Sequence, residues 1–274
     1  NSNMVTKLTY HDNIYEKQLF LFNTKKSPVD NRDWRAEGIY NTEYELPKEL
    51  NYSSKLNRVR QQGDQGTCAA QTASCMKEWQ ENKDVNFNGY MSPQFIYNNR
   101  ENQDTEGMYG RDVMRILKNI GSCPETSYPY NKIEIRQLIQ NKFFTEAKNY
   151  TIKSYAQVHT IDALKRALFM NGPCYIAFPV FNYGTSMWKQ KSDEKQKGGH
   201  AMSVVGYNQT GFIIRNSWGI YWGNKGYCVY PYSDWGSHYE VWTTIDDNSY
   251  TKPIEPHSKP SFFQLFLKWF FYLN

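Results

Sequence analysis

Val59-Arg60-Gln61-Gln62-Gly63-Asp64-Gln65-Gly66-Thr67-Cys68-Ala69-Ala70 joins a polar, glycine-containing loop to a cysteine. No Gly or Pro occurs from Ala69 to Lys83, so the spacing predicts a helix over those residues. Within it Ala73, Met76 and Trp79/Gln80 recur at three- and four-residue intervals, which predicts a buried stripe. Cys68 then stands where loop becomes helix. The first turn of a helix carries unpaired N–H groups and a partial positive charge, and both favour thiolate over thiol. For this stretch alone the competing reading is a buried cysteine with no chemistry.

Composition narrows the classes. The chain has 274 residues and a net charge of +5, enough for one large domain or two small lobes. The basic residues are scattered, so no nucleic-acid footprint is expected. Lys189 to Lys197 is the densest charge run, but Asp193 and Glu194 interrupt it and a solvated loop is expected. The five cysteines, Cys68, Cys75, Cys123, Cys174 and Cys228, have no CxxC spacing, so neither a zinc site nor a disulfide framework is expected. Cys75 reads as a core thiol. With no apolar leader at Asn1 to Thr6, a reducing, intracellular setting is expected.

Downstream the texture divides. Ser92-Pro93-Gln94 predicts a helix start, with Ser as cap and Pro in the first turn. Further helices are predicted over Arg111–Asn119, which stops near Gly121, and over Ile133–Asn141 and Ile161–Met170. Short runs rich in Val, Ile, Tyr and Phe follow at Cys174–Val180, Ala201–Tyr207, Gly211–Arg215 and Gly226–Tyr230, and these predict strands. A helical half followed by a strand-rich half implies an α+β fold in two lobes.

A thiolate nucleophile needs a base, and the base needs orienting. His200 lies in Gly198-Gly199-His200-Ala201-Met202-Ser203-Val204-Val205-Gly206-Tyr207, which places an imidazole at a strand entrance behind a glycine loop. Arg215-Asn216-Ser217-Trp218-Gly219-Ile220-Tyr221-Trp222-Gly223 follows. The Asn216 amide oxygen can accept from the imidazole N–H and fix its tautomer. Trp218 and Trp222 can shield that bond from water.

Taken in order, the Gln-Gly loop, the Gly-His-Ala strand, the Asn-Ser-Trp-Gly run and Tyr128-Pro129-Tyr130 resemble the papain family of cysteine peptidases. In that family His and Asn lie roughly 130–150 residues beyond the nucleophile, as His200 and Asn216 do here. The resemblance covers about residues 46 to 245 and implies a papain-like fold: a helical lobe, an antiparallel β-barrel-like lobe and a cleft between them. It implies Cys68 as nucleophile, His200 as base and then acid, and Asn216 as the residue orienting His200. It also implies Gln62 as the side-chain donor of an oxyanion hole and a thiolate–imidazolium pair at Cys68 and His200. Gly107-Met108 falls where members often carry a Gly-Gly that binds the substrate backbone, and Trp218 is carried over to the substrate site.

Three departures stand out. Gln65 replaces a cysteine that in most members forms a disulfide. Ala69 replaces the usual aromatic, and only one glycine is present at Gly107. This pattern is closer to divergent members from bacteria and large DNA viruses, which lack the secreted enzymes' disulfide set; it agrees with a reducing compartment and admits a viral setting.

The expected activity is that of a cysteine-type endopeptidase. A catalytically silent binding protein and a cysteine-dependent acyltransferase are the alternatives. A polypeptide substrate, no cofactor, no metal and a monomer are expected. Residues 1–44 are read as an inhibitory extension, 45–250 as the peptidase domain and 251–274 as a tail. The apolar run Ser261 to Leu273 would reach about 20 Å as a helix, short of the roughly 30 Å of a bilayer core, and is read as a candidate membrane contact.

Overall fold

The computed structural model describes residues 24–40 and 44–246. The apolar cluster Leu19 to Phe22 and the run 261–273 lie outside them. Among the described residues no helix is long and apolar enough to cross a membrane.

Five α-helices are described: α1 (Cys68–Val85), α2 (Pro93–Asn98), α3 (Gly110–Asn119), α4 (Asn141–Ala147) and α5 (Ile161–Asn171). The strands are β1 (Leu50–Asn51), β2 (Ser154–Gln157), β3 (Cys174–Val180), β4 (Gly198–Tyr207), β5 (Gly211–Arg215), β6 (Tyr227–Pro231) and β7 (Glu240–Ile245). They form one antiparallel sheet in the order β2-β7-β3-β4-β5-β6, with β1 added to the end of β4. The sheet is antiparallel as expected, and it stays open, with β2 and β6 at its edges. Leu50 O would lie 2.1 Å from a Cβ at Gly206, so only glycine lets β1 pair there.

The sheet's period-two alternation divides the core. Cys174, Ile176, Phe178 and Val180 of β3, with Met202 and Val204 of β4, pack with Leu164 and Leu168 of α5. Tyr175 and Ala177 of β3 and Ala201 of β4 face the other way, against Cys68, Ala69, Ala73 and Met76 of α1. A third cluster joins Phe95, Tyr128, Ile139 and Phe143.

Local signals explain two of the boundaries. The Ser92 hydroxyl accepts the Phe95 N–H at 3.0 Å, with Pro93 in the first turn, as the sequence predicts. At the C-terminal end of α3, Gly121 adopts φ +91° while its N–H returns to Ile116 O at 2.8 Å.

Three expectations need correction. First, α1 has no single stripe, because every residue from Cys68 to Glu81 is buried. Even Lys77 is enclosed, with Glu81 at 2.8 Å and Asp246 at 3.2 Å. Second, Ile133–Asn141 is not one helix. A 3-10 turn covers Arg136–Leu138, and α4 begins only at Asn141. Ile133, Ile135 and Leu138 are exposed, and of the apolar residues in this stretch only Ile139 enters a core cluster, too little to hold a full helix. Third, Gly198 and Gly199 belong to β4 rather than to a flexible loop. The sequence reading also missed β2 and β7, which pair with each other.

The segment before the peptidase-like region is part of the packing. Residues 24–36 run across the molecule from Cys68 to β2. The Thr24 N–H donates to Gly199 O at 3.3 Å, and Lys25 bridges Tyr109 in parallel register. Trp34 O accepts the Gln157 N–H at 2.8 Å, and Ala36 enters the sheet core.

Candidate active site

Cys68 is the first residue of α1 and is fully buried. Its Sγ lies 3.0 Å from Thr24 Oγ1 in a hydrogen bond. The backbone N–H groups of Ala201 and Ala69 also favour its ionised form, but burial outweighs them and pushes the thiol up. Ala201 of β4 packs beside Cys68, and His200 immediately precedes it in the strand.

His200 Nε2 lies 2.7 Å from Asn216 Oδ1. The imidazole stacks on Trp218 with ring centroids 4.4 Å apart, and Trp222 packs edge-on against Trp218 at 5.7 Å. All three rings are buried. Burial lowers the His200 pKa to about 4, against the Asn216 hydrogen bond, which raises it. Burial thus works against both charged forms of the expected ion pair. Trp218 is enclosed against His200, which is a shielding position.

Gln62 reaches the site through a two-residue ladder. The Gly219 N–H donates to Arg60 O at 2.8 Å, the Gln62 N–H donates to Ser217 O at 2.9 Å, and Gln61 bridges Trp218. The Gln62 side chain accepts from Ser217 Oγ at 2.7 Å and donates to Gln65 O at 3.0 Å. A carboxamide nitrogen carries two hydrogens, so one donor remains for a ligand. Ser217, which the sequence reading passed over, thus touches two site residues, since its own N–H donates to Asn216 Oδ1 at 2.8 Å.

Gln65 occupies the position of the missing disulfide. Its Nε2 donates to Gln94 Oε1 and Asn131 Oδ1, both at 3.0 Å, and Gln94 Nε2 returns a bond to Gln65 Oε1 at 2.9 Å. A reciprocal amide pair therefore ties the loop, and all five cysteines are free. Tyr130 Oη donates to Gln62 O at 2.6 Å and lies 2.8 Å from Thr67 Oγ1, which gives Tyr128-Pro129-Tyr130 a role in holding the loop.

Gly107 adopts φ +77°, and Met108 is buried in the cluster that contains Cys68. Beside them the N-terminal segment meets a carboxylate. Ser27 donates to Glu240 from N–H at 3.2 Å and from Oγ at 3.1 Å. Arg111 then grips the same segment, donating to Pro28 O at 2.6 Å and to Asp33 at 3.0 and 2.5 Å. Thr24 Oγ1, Ser27 and Asp33 were not legible as site residues, because nothing in their spacing ties them to Cys68.

Comparison with known proteins agrees with this geometry. The model of the papain family cysteine protease matches residues 46–238. An uncharacterized peptidase C1-like protein of Acanthamoeba polyphaga mimivirus is 30% identical over 214 residues, 69% of this chain and 68% of its own length. Mouse cathepsin K is 29% identical over 215 residues, 72% of this chain and 64% of its own. A cathepsin L-like proteinase of Fasciola hepatica is 29% identical over 212 residues, 72% of this chain and 59% of its own. The chain thus spans under two thirds of these last two. Among solved structures, xylellain, a cysteine protease from Xylella fastidiosa, has a TM-score of 0.70 at 25% identity, covering 82% of this chain and 96% of its own. Procathepsin L 3 of Tenebrio molitor has a TM-score of 0.63 at 17% identity, covering 89% of each chain, and shares the fold.

Proposed function

The chain belongs to the papain family of cysteine proteases, and from that premise we propose that it is an endopeptidase that cleaves peptide bonds by acyl transfer through Cys68. The observation that carries this reading is the His200–Asn216 hydrogen bond of 2.7 Å, roofed by Trp218, at the end of the strand that packs on Cys68. Once substrate replaces the N-terminal segment, His200 takes the Cys68 proton and the thiolate attacks the peptide carbonyl. The negative oxygen is met by the Cys68 backbone N–H and the remaining Gln62 N–H. His200 then protonates the leaving amine, and water hydrolyses the acyl-enzyme by the reverse sequence.

The covered cleft supports reading the described chain as a latent form. What meets Cys68 Sγ is the Thr24 hydroxyl, which offers no acyl carbon to attack. Procathepsins are among the proteins of the same fold, which supports residues 1–44 as an inhibitory extension.

The test is a peptide library read by mass spectrometry, with wild type and Cys68→Ala compared. Cleavage products present only with wild type, together with labelling of Cys68 by a thiol-directed epoxide, are expected. Turnover that survives in Cys68→Ala rejects this reading.

A further inference from the structure

Asn216 uses its carbonyl oxygen twice. Oδ1 accepts from His200 at 2.7 Å and from the Ser217 N–H at 2.8 Å. That fixes the amide orientation and turns Nδ2 away from both. Asn216 is 2% exposed, and among the described residues its Nδ2 meets no hydrogen-bond partner.

Gln71, one turn into α1, presents the complementary defect. It is 4% exposed, and its Oε1 is a buried acceptor with no partner among the described residues. Its Nε2 donates to Thr67 Oγ1 at 3.4 Å. Both residues line one small, partly open space of about 20 Å³, together with Glu78, Ser203, Arg215 and Ser217. One water needs roughly 10–15 Å³ and two to four polar partners. The space meets both conditions.

We infer that a single water molecule sits in this space and joins Asn216 Nδ2 to Gln71 Oε1, which makes Gln71 a positioning residue for Asn216. The water accepts from the amide and donates to the glutamine oxygen, so neither group stays unpaired. Gln71 belongs to the helix that begins with Cys68, whereas Asn216 stands at the end of β5. The bridge therefore ties the nucleophile's helix to the residue that orients the imidazole. This inference rests on the proposed role of Asn216.

The direct test is a high-resolution crystal structure of the chain. A water within hydrogen-bond distance of both atoms is expected, and an empty space or a water that touches neither overturns the inference.

The functional test compares Gln71→Met, which keeps the volume and removes the acceptor, with Gln71→Glu, which keeps an acceptor oxygen. Each is measured alone and with Asn216→Ala, by peptide hydrolysis and by the pH profile of Cys68 alkylation. Gln71→Met alone should slow hydrolysis about tenfold and shift the profile, while Gln71→Glu stays within about twofold. On the Asn216→Ala background Gln71→Met should have no further effect, because its action runs through Asn216. Equal losses in both backgrounds, or no loss in either, overturn the inference. If Asn216→Ala alone leaves the rate unchanged, the reading of Asn216 fails instead. If Gln71→Met does not fold, the electron density and the Gln71→Glu rate decide.

Discussion

Thr24 Oγ1 and Cys68 Sγ are hydrogen-bonded at 3.0 Å, so the candidate nucleophile is held by a residue that precedes the family match. The contact is backed by the main chain. Thr24 O would lie 2.0 Å from a Cβ at Gly199, so any side chain at 199 would push the segment off the site. The glycine before His200 thus serves the close approach of the Thr24 backbone.

The segment is latched by charge some distance from the thiol. Arg111 and Asp33 pair in a two-bond fork that is mostly buried. A hydrogen bond to a charged group contributes about 1.5–3 kcal/mol. Asp33→Ala in the full chain should therefore raise the uncovered population, and the iodoacetamide labelling rate of Cys68, about tenfold. Mass spectrometry separates Cys68 from the other four thiols. An unchanged rate means that the latch lies elsewhere.

Gln62 is predicted to act as a donor rather than a spacer. Gln62→Glu keeps an acceptor for Ser217 Oγ but removes the N–H donors. Loss of one oxyanion donor typically costs about 10²–10³ in kcat. That loss in kcat, with KM little changed, is expected from steady-state hydrolysis of a fluorogenic peptide. A change confined to KM would place Gln62 in ground-state binding only.

Much of this candidate site is legible in the sequence. Cys68, His200 and Asn216 sit in short local patterns, and strand alternation and a helix start are properties of neighbouring residues. The latent arrangement is not. Thr24, Ser27 and Asp33 reach Cys68, Glu240 and Arg111 through tertiary packing, and their own stretch has no period that implies a partner. Likewise β7 was hidden because Glu240-Val241-Trp242-Thr243-Thr244-Ile245 is buried on every residue, which erases the in–out alternation. The Ile133–Asn141 difference has the opposite cause: of its apolar residues, Ile133, Ile135 and Leu138 remain in solvent and only Ile139 is buried.

Glu78 supplies a pH prediction with a definite sign. Burial raises its pKa from 4.5 to about 7, although Arg215 and Arg60 pull it down, while Glu125 pushes it further up. A carboxyl with a raised folded-state pKa contributes stability below its unfolded value, and that contribution is lost as pH rises through about 7. Glu78→Gln keeps an acceptor for the Met91 N–H, now at 3.0 Å, and cannot ionise. Its midpoint should therefore gain on that of wild type between pH 5 and pH 8 in thermal melts. His200 and His238, both lowered to about 4 by burial, act in the opposite sense, but equally in both proteins, so they cancel in the difference. A gain for wild type instead would mean that pairing with Arg215 outweighs burial.

Gln65 and Gln94 should replace a covalent link at a measurable cost. Each amide donates to the other, at 3.0 and 2.9 Å, inside the core. Gln65→Leu leaves Gln94 with a buried, unanswered group, which costs about 1–3 kcal/mol. Gln94→Leu should cost a similar amount, and the double variant less than the two together, because the second change removes a partner already lost. Urea unfolding measures all three. Reductant should leave every midpoint where it is, since all five cysteines are free. A midpoint that falls with dithiothreitol would reveal a disulfide holding the loop in place of the amide pair.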